Sequence, residues 1–373
     1  MKYKNDMLYL CLCAINGEKP DKSYVSKIDL DVLFRECQRH SVTALVCYAL
    51  ETVLDLPFVW KEAKGKAVRK NMLFDIERQK ITDFMSKNGI RYMPLKGIIL
   101  KEYYPKIGMR EMSDNDIFYD SYFREQLKDF MLSIGYECTS QADDHDIYEK
   151  QPMYNFEMHH AVFLQEASEE LCNYYIDIEE RMLKDDENSC SYHLNDEDFY
   201  IYLIAHEYKH YIHSGTGIRS FLDCIVFLKK CGDTLDWKYI EKETEKAGLS
   251  FFEKNQRALC KKLSVFSYEY DLFQDEIDFL EYLTLCGAHG TFSISVFNKA
   301  KGTAFSDSKI NFLKRLRYIA KRLFPPMGYY KRFYPFFYRH KYLIPLCFLY
   351  RLYLALFKRR KRIKSEIELL NKI

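Results

Sequence analysis

No two of the twelve cysteines stand in a Cys-x-x-Cys pair, and they are scattered from Cys11 to Cys347. That is not the pattern of a disulfide framework, so free thiols in a reducing cytosol are expected. Long apolar runs are missing too. The opening MKYKNDMLYLCLCAING carries an apolar stretch of only about eight residues, interrupted by polar ones, too short for a secretory signal or a membrane span. Residues 342–357 hold Arg351 within about sixteen residues and make a poor spanning helix. There is no internal repeat and no low-complexity linker. A cytoplasmic globular chain without a transmembrane span is the expectation.

What is present suffices for ordinary cores: 48% of the 373 residues are hydrophobic, and 29% are charged, which serves solubility. A single core rarely grows beyond about 250 residues, so two or three packed units are expected. The net charge of +2 conceals a split. Residues 309–373 hold 18 Lys and Arg against 2 Glu, net +16, leaving 38 against 52, net −14, in the remainder. A basic tail follows an acidic body.

Residues 1–88 repeat apolar positions at helical spacing, as in Leu30, Leu33 and Cys37 and again in Val42, Leu45, Val46 and Ala49. Three or four helices are expected, with a further segment beginning at Pro57. Residues 89–194 instead show short apolar runs between turn residues, read as strands over 90–95, 117–119 and 154–164 with helices over 98–104 and 122–134. From Asp196 helices return, with Asn195 or Asp196 as N-cap, and no further strand is expected. The fold class is therefore α+β. A small mixed sheet with flanking helices in 89–194 follows an N-terminal helical subdomain in 1–88. It precedes a helical domain in 195–308 and a basic, aromatic helical region in 309–373.

The chemistry concentrates in residues 94–120, PLKGIILKEYYPKIGMREMSDNDIFYD. A strand ends at Leu95, the chain turns at Lys96 and Gly97, a helix begins, and Asp114-x-Asp116 opens the next strand. Alternate strand residues share a face, so the two carboxylates point the same way. Such a pair can hold Mg2+, a hard cation that takes oxygen ligands and leaves room for substrate phosphates. Ions so held position the attacking and departing oxygens at an α-phosphorus. The Lys96-Gly97 turn would bring backbone N–H groups and a helix N-terminus to the phosphates. Arg110, four residues before Asp114, offers a guanidinium to a triphosphate, and Ser113 is grouped with these nucleotide contacts. The third acid comes from residues 154–163, YNFEMHHAVF. With Phe156, Met158 and His160 on one face, Glu157 and His159 take the other, and Glu157 either completes the metal set or accepts a proton.

These motifs together resemble the nucleotidyltransferase superfamily that shares the DNA polymerase beta palm, and within it the uncharacterised nucleotidyltransferase branch. The resemblance rests on Leu95-Lys96-Gly97, Tyr104-Pro105, Arg110 and Asp114-Asn115-Asp116. It continues in Glu157 and His159, in His206, His210, Gly217, Arg219 and Asp223, and in the Phe324-Pro325 and Tyr334-Pro335 segment. It covers most of the chain from about residue 30. The wider superfamily has Gly-Gly or Gly-Ser where this chain has Lys96-Gly97, and a shorter gap to the first Asp. The resemblance implies a palm-like fold, magnesium and a nucleoside triphosphate such as ATP; it names no acceptor, whether small molecule, protein or RNA. The alternative is a nucleotide-binding or interaction protein that keeps the fold without turnover.

His206-Glu207-Tyr208-Lys209-His210 also satisfies HExxH, the helical zinc-protease motif. Against that reading, Lys209 puts a cation beside a ligand, and His213 and Thr216 stand where the extended motif needs Gly and His. Arg219 and Asp223, at i and i+4, can pair on a helix face, or Arg219 can reach the nucleotide. The basic, aromatic tail can pack on the acidic body or bind nucleic acid or an anionic surface.

Overall fold

A computed structural model describes residues 1–163, 168–267, 269–288, 290–301, 312–358 and 360–372. The chain falls into two compact units, Met1–Lys209 with Gly217–Ala288, and His210–Thr216 with His289–Ile373. All twelve cysteines are unpaired.

The first unit opens with helices α1 (Asp6–Asn16), α2 (Leu30–His40), α3 (Thr43–Leu50) and α4 (Phe58–Lys87). Local chemistry sets their starts. The side chains of Asn5 and Asp29 accept from backbone N–H groups of the first turns of α1 and α2, satisfying donors that a helix leaves orphaned. Pro57 precedes α4, which then runs for 30 residues.

The sheet comprises β1 (Tyr92–Pro94), β2 (Asn115–Tyr119), β3 (Glu137–Gln141), β4 (His145–Lys150) and β5 (Tyr154–His159), in the order β1-β2-β5-β4-β3. Only β2 and β5 are parallel; the other neighbours are antiparallel. A parallel pair needs a crossover, supplied by helix α5 (Arg124–Ser133) and the β3–β4 hairpin. Ile117 and Tyr119 of β2 and Phe156 and Met158 of β5 enter one core with Phe74, Ile81 and Met85 of α4 and Leu127 and Met131 of α5. The intervening residues, Asp116 and Glu157, consequently face away from that core, by the two-residue period of a strand.

Three expected strands and the mixed α+β character are present with different ends: residues 90–91, 95 and 160–163 lie outside strands, the strand expected over 117–119 begins at Asn115, and residue 164 is outside the described set. The β3–β4 hairpin was not anticipated. Its residues ECTSQ and HDIYEK carry little apolar alternation because the inward Asp146 is a fully buried carboxylate, held by Arg124 at 2.5 and 2.8 Å. Contrary to the expectation of no strand after Asp196, Tyr270–Asp271 pairs with Lys2–Tyr3. The expected helix over 98–104 is one short turn, Gly97–Leu100, continued by a 3-10 turn, Lys101–Tyr103.

From Asp196 the chain is otherwise helical: α6 (Asp196–His213) begins there and ends in the second unit, and the first unit continues with α7 (Ile218–Cys231), α8 (Trp237–Lys246), α9 (Ser250–Ser264) and α10 (Gln274–Cys286). In the second unit, Arg351 explains the charge inside the apolar stretch 342–357: its guanidinium donates to the carbonyls of Leu323 and Arg322 at 3.0 and 2.7 Å. Those carbonyls end helix Phe312–Leu323, where a cation is favourable. Buried Glu366 accepts from Tyr318 and Arg322, while Leu346, Leu349, Tyr353 and Phe357 are exposed. Among the described residues no helix is long and apolar enough to cross a membrane.

Phe156 has no exposed surface and lies against Phe74 and Tyr136. Phe156→Ala is expected to cost about 3–5 kcal/mol, measured by urea unfolding at unchanged m-value.

Candidate functional site

The β2–β5 register sets Asn115 opposite Phe156, Asp116 opposite Glu157 and Phe118 opposite His159. Asp116 and Glu157 therefore stand side by side on one face, with His159 two residues along the same face. Asp116 is 3% and His159 8% exposed. His159 Nε2 lies 2.9 Å from Asp116 Oδ1 and 3.6 Å from Glu157 Oε2. One ligand atom from each of Asp116, Glu157 and His159 lies within 4.8 Å of the others, and among the described residues they form the one such metal-ligating group.

Lys96 donates to the same Asp116 oxygen at 2.6 Å. Its backbone is held at φ 46°, in the region that disfavours a side chain. The Leu95 N–H donates to Asp116 C=O at 2.9 Å, extending the β1–β2 pairing and fixing that turn. With Lys96 and His159 both on it, the Asp116 carboxyl is held well below the usual range despite its burial. Asp114, half-buried just before β2, goes the other way. Burial first, then the charges of Asp116 and Glu157, push its pKa up to about 6. Burial and the crowding of three acids thus keep a proton on one of them up to about pH 6.

Arg110 and Gly97 do something different from what their spacing suggests. The Arg110 guanidinium makes two 2.9 Å bonds to Asp223 of α7, and Tyr104 adds a third at 2.9 Å. Arg110 and Asp223 are 9% and 3% exposed. A side chain on Gly97 would come within 2.4 Å of Arg110 Nη1. The glycine of the Lys96-Gly97 turn is therefore needed to admit this guanidinium, and the four-residue helix it opens is too short to present a substantial dipole. Asp223 bonds to Arg110, where an i,i+4 pair with Arg219 was one expectation. Arg219 instead reaches the Asp-x-Asp loop, donating to Ser113 Oγ at 3.3 Å and Glu111 C=O at 3.4 Å. Lys70 donates to Ser113 C=O at 3.4 Å. Arg78, which sequence reasoning missed, donates to Asn115 Oδ1 at 3.1 Å and so braces the middle residue of Asp-x-Asp. His159 was legible as a neighbour of Glu157 by alternation, but its bond to Asp116 follows only from the parallel register.

The sequence matches the uncharacterised nucleotidyltransferase family over residues 26–264. The chain belongs to that family. No curated protein matches it. A solution structure of the antibiotic-resistance factor ANT(2'')-Ia aligns at 10% identity with a TM-score of 0.35, over 51% of this chain and 96% of that one, a likeness too slight to inform the chemistry. Family membership makes the chain a nucleotidyltransferase, a transferase on an α+β scaffold.

In this nucleotidyltransferase the HExxH glutamate is buried. Glu207 is 1% exposed and accepts from Gln256 Nε2 at 2.6 Å. Burial pushes its pKa up to about 8. Among the described residues no converging metal-ligand group includes His206, Glu207 or His210.

Arg110→Met leaves the Asp223 carboxylate buried with Tyr104 alone, and is expected to cost about 3–5 kcal/mol. The double variant Arg110→Met with Asp223→Leu should recover part of that loss in a urea double-mutant cycle. For Glu207, the folded state holds a proton that the unfolded chain releases near 4.5. Its contribution is complete below that pH and lost as pH rises toward about 8, with a slope of up to about 1.4 kcal/mol per pH unit. Glu207→Gln should remove this slope, gaining on the wild type between pH 5 and 8 in urea titrations, and should leave any nucleotidyl transfer in place.

Proposed function

We propose that this nucleotidyltransferase moves a nucleoside monophosphate from a nucleoside triphosphate, such as ATP, to an acceptor hydroxyl or amine, with pyrophosphate leaving. The observation that carries the reading is the parallel register that sets Asp116 beside Glu157, with Asp114 close enough for its carboxyl to be raised by both. Crowded acids in a half-open position are relieved by a divalent cation. The spacing of Asp116, Glu157 and His159 atoms suits a common ion, so the residues fit a metal. Asp114, Asp116 and Glu157 would hold it, Mg2+ being the ion that oxygen ligands prefer. Bound there, the cation would neutralise charge developing at the α-phosphoryl group and align its oxygens.

The protein's own groups do the rest. Lys96, already among the acids, supplies an ammonium for a phosphate oxygen once its carboxylate partner is otherwise satisfied. Because Arg110 is committed to Asp223, we assign phosphate contact to Lys96 and to Arg219, whose bonds to Ser113 and Glu111 are long. Arg110 and Gly97 then act by positioning the Lys96 turn, and Ser113 by holding the loop. Glu157, more exposed than Asp116 or His159 at 24% of its side chain, is the acid placed to take a proton from the acceptor. The acceptor is a small molecule, a protein or RNA. The 18 basic residues of 309–373 favour an anionic partner or surface near the second unit.

Incubation with α-labelled and γ-labelled triphosphates tests the reading. Label from the α position should enter an acceptor in cell extract, and label from the γ position should not. Asp114→Asn and Asp116→Asn should each reduce transfer by about a hundredfold or more, as loss of metal-borne charge stabilisation of several kcal/mol requires. Both should remain folded by circular dichroism. Undiminished transfer by either variant would remove the metal assignment. Nucleotide binding without transfer in the wild type would favour the non-catalytic alternative.

A further inference from the structure

We infer that His159 is itself a metal ligand, so that the site is a mixed nitrogen and oxygen centre that selects a first-row transition dication such as Mn2+ over Mg2+. The inference rests on the metal reading above and concerns which ion is held and by what. Adjacent ligands around an ion with bonds of about 2.1 Å are separated by about 3.0 Å in an octahedron and about 3.4 Å in a tetrahedron. His159 Nε2 stands 2.9 Å from Asp116 Oδ1 and 3.6 Å from Glu157 Oε2, which brackets both values. The imidazole is thus already at ligand distance from two carboxylate oxygens, in a pocket where it is 8% exposed.

Asp116 Oδ1 also has the Lys96 ammonium at 2.6 Å, so the carboxylate keeps a counter-charge when the His159 ring turns to an ion. The alternation that gives Glu157 to the site brings His159 as well, and the parallel register seats it beside Asp116, opposite Phe118. Imidazole nitrogen is a poor ligand for Mg2+, which demands oxygen and retains its waters, and a good one for later divalent ions. Asp116 Oδ1 would hold such an ion in place of the Lys96 ammonium, which would leave Lys96 for phosphate.

Mn2+ is the probe. The full chain is titrated with Mn2+ and with Mg2+ by calorimetry. Electron spin-echo spectroscopy is then recorded on the Mn2+ complex, with and without 15N-labelled histidine. The expected results are a directly bonded histidine nitrogen in the wild type, its loss in His159→Gln, and its retention in His145→Gln, whose ring lies 5.0 Å from that of His159. Mn2+ should bind at least about tenfold more tightly than Mg2+ in the wild type, with the preference reduced in His159→Gln. Asp116→Asn should abolish binding of both. Binding of Mn2+ that needs Asp116 but shows no histidine nitrogen overturns this inference and leaves the carboxylate metal site standing. Equal affinity for the two ions, or a nitrogen signal lost in His145→Gln, also overturns it. Absence of any Asp116-dependent metal binding overturns the metal reading itself. The wild-type nitrogen coupling does not depend on any variant folding.

Discussion

The site exists because β2 and β5 run parallel and in one register. A slip of one residue would send either Asp116 or Glu157 into the core occupied by Phe156, Met158 and Ile117, and antiparallel pairing about the same two acids would carry His159 away from its place opposite Phe118. The cost of the observed arrangement is electrostatic. A buried carboxylate, Asp116, and a half-buried one, Glu157, stand side by side with Asp114 adjacent, and they repel one another in a medium that screens less well than water. The chain meets that cost locally, by bringing Lys96 and His159 onto a single oxygen of Asp116 and by letting Asp114 keep its proton up to about pH 6. Each of these responses depends on the register and would have no purpose without it.

The backbone bears a second cost. A non-glycine residue at positive φ is strained by about 1–3 kcal/mol, and Lys96 is one of only two such residues among those described. The turn is held from several sides: the Leu95 N–H bond to Asp116, the absence of a side chain at Gly97, and the Arg110 guanidinium filling the space thereby left. Arg110 is in turn fixed by Asp223 and Tyr104, and its own carbonyl by Asn71 of α4 at 3.2 Å. A buried ion pair is weak evidence of stability, because desolvation offsets much of the attraction. Its effect here is geometric: it ties the loop before β2 to α7, and so sets where Lys96 and Arg219 can reach.

Which parts could be read beforehand follows from how local their causes are. The Asp-x-Asp opening β2, the alternation along Tyr154–His159 and the start of α4 after Pro57 are all written in neighbouring residues. The β3–β4 hairpin was hidden because a polar residue, Asp146, occupies a core-facing position with its partner Arg124 more than twenty positions away. Ser113, Arg110 and Arg219 were read by type rather than by partner. A guanidinium near a carboxylate pair suggests phosphate, and nothing local indicates that Asp223, from another helix, will claim it. The same holds for Gly97, whose neighbours suggested a phosphate turn and whose contact distance to Arg110 gives the reason for it.

Glu207 illustrates the converse, a sequence pattern with strong chemical meaning and the wrong surroundings. A general base must be reachable by water or substrate and have its proton affinity tuned by that use. Glu207 is instead sealed against Gln256 and held neutral by burial through the physiological range. In the Asp116 cluster, burial is accompanied by opposing charges and by one more exposed acid, Glu157. The difference decides function. A neutral acid in a closed pocket can only pack, whereas in the function proposed above a carboxylate kept ionised beside an ammonium would exchange that ammonium for a cation, and Lys96 would then serve the phosphates.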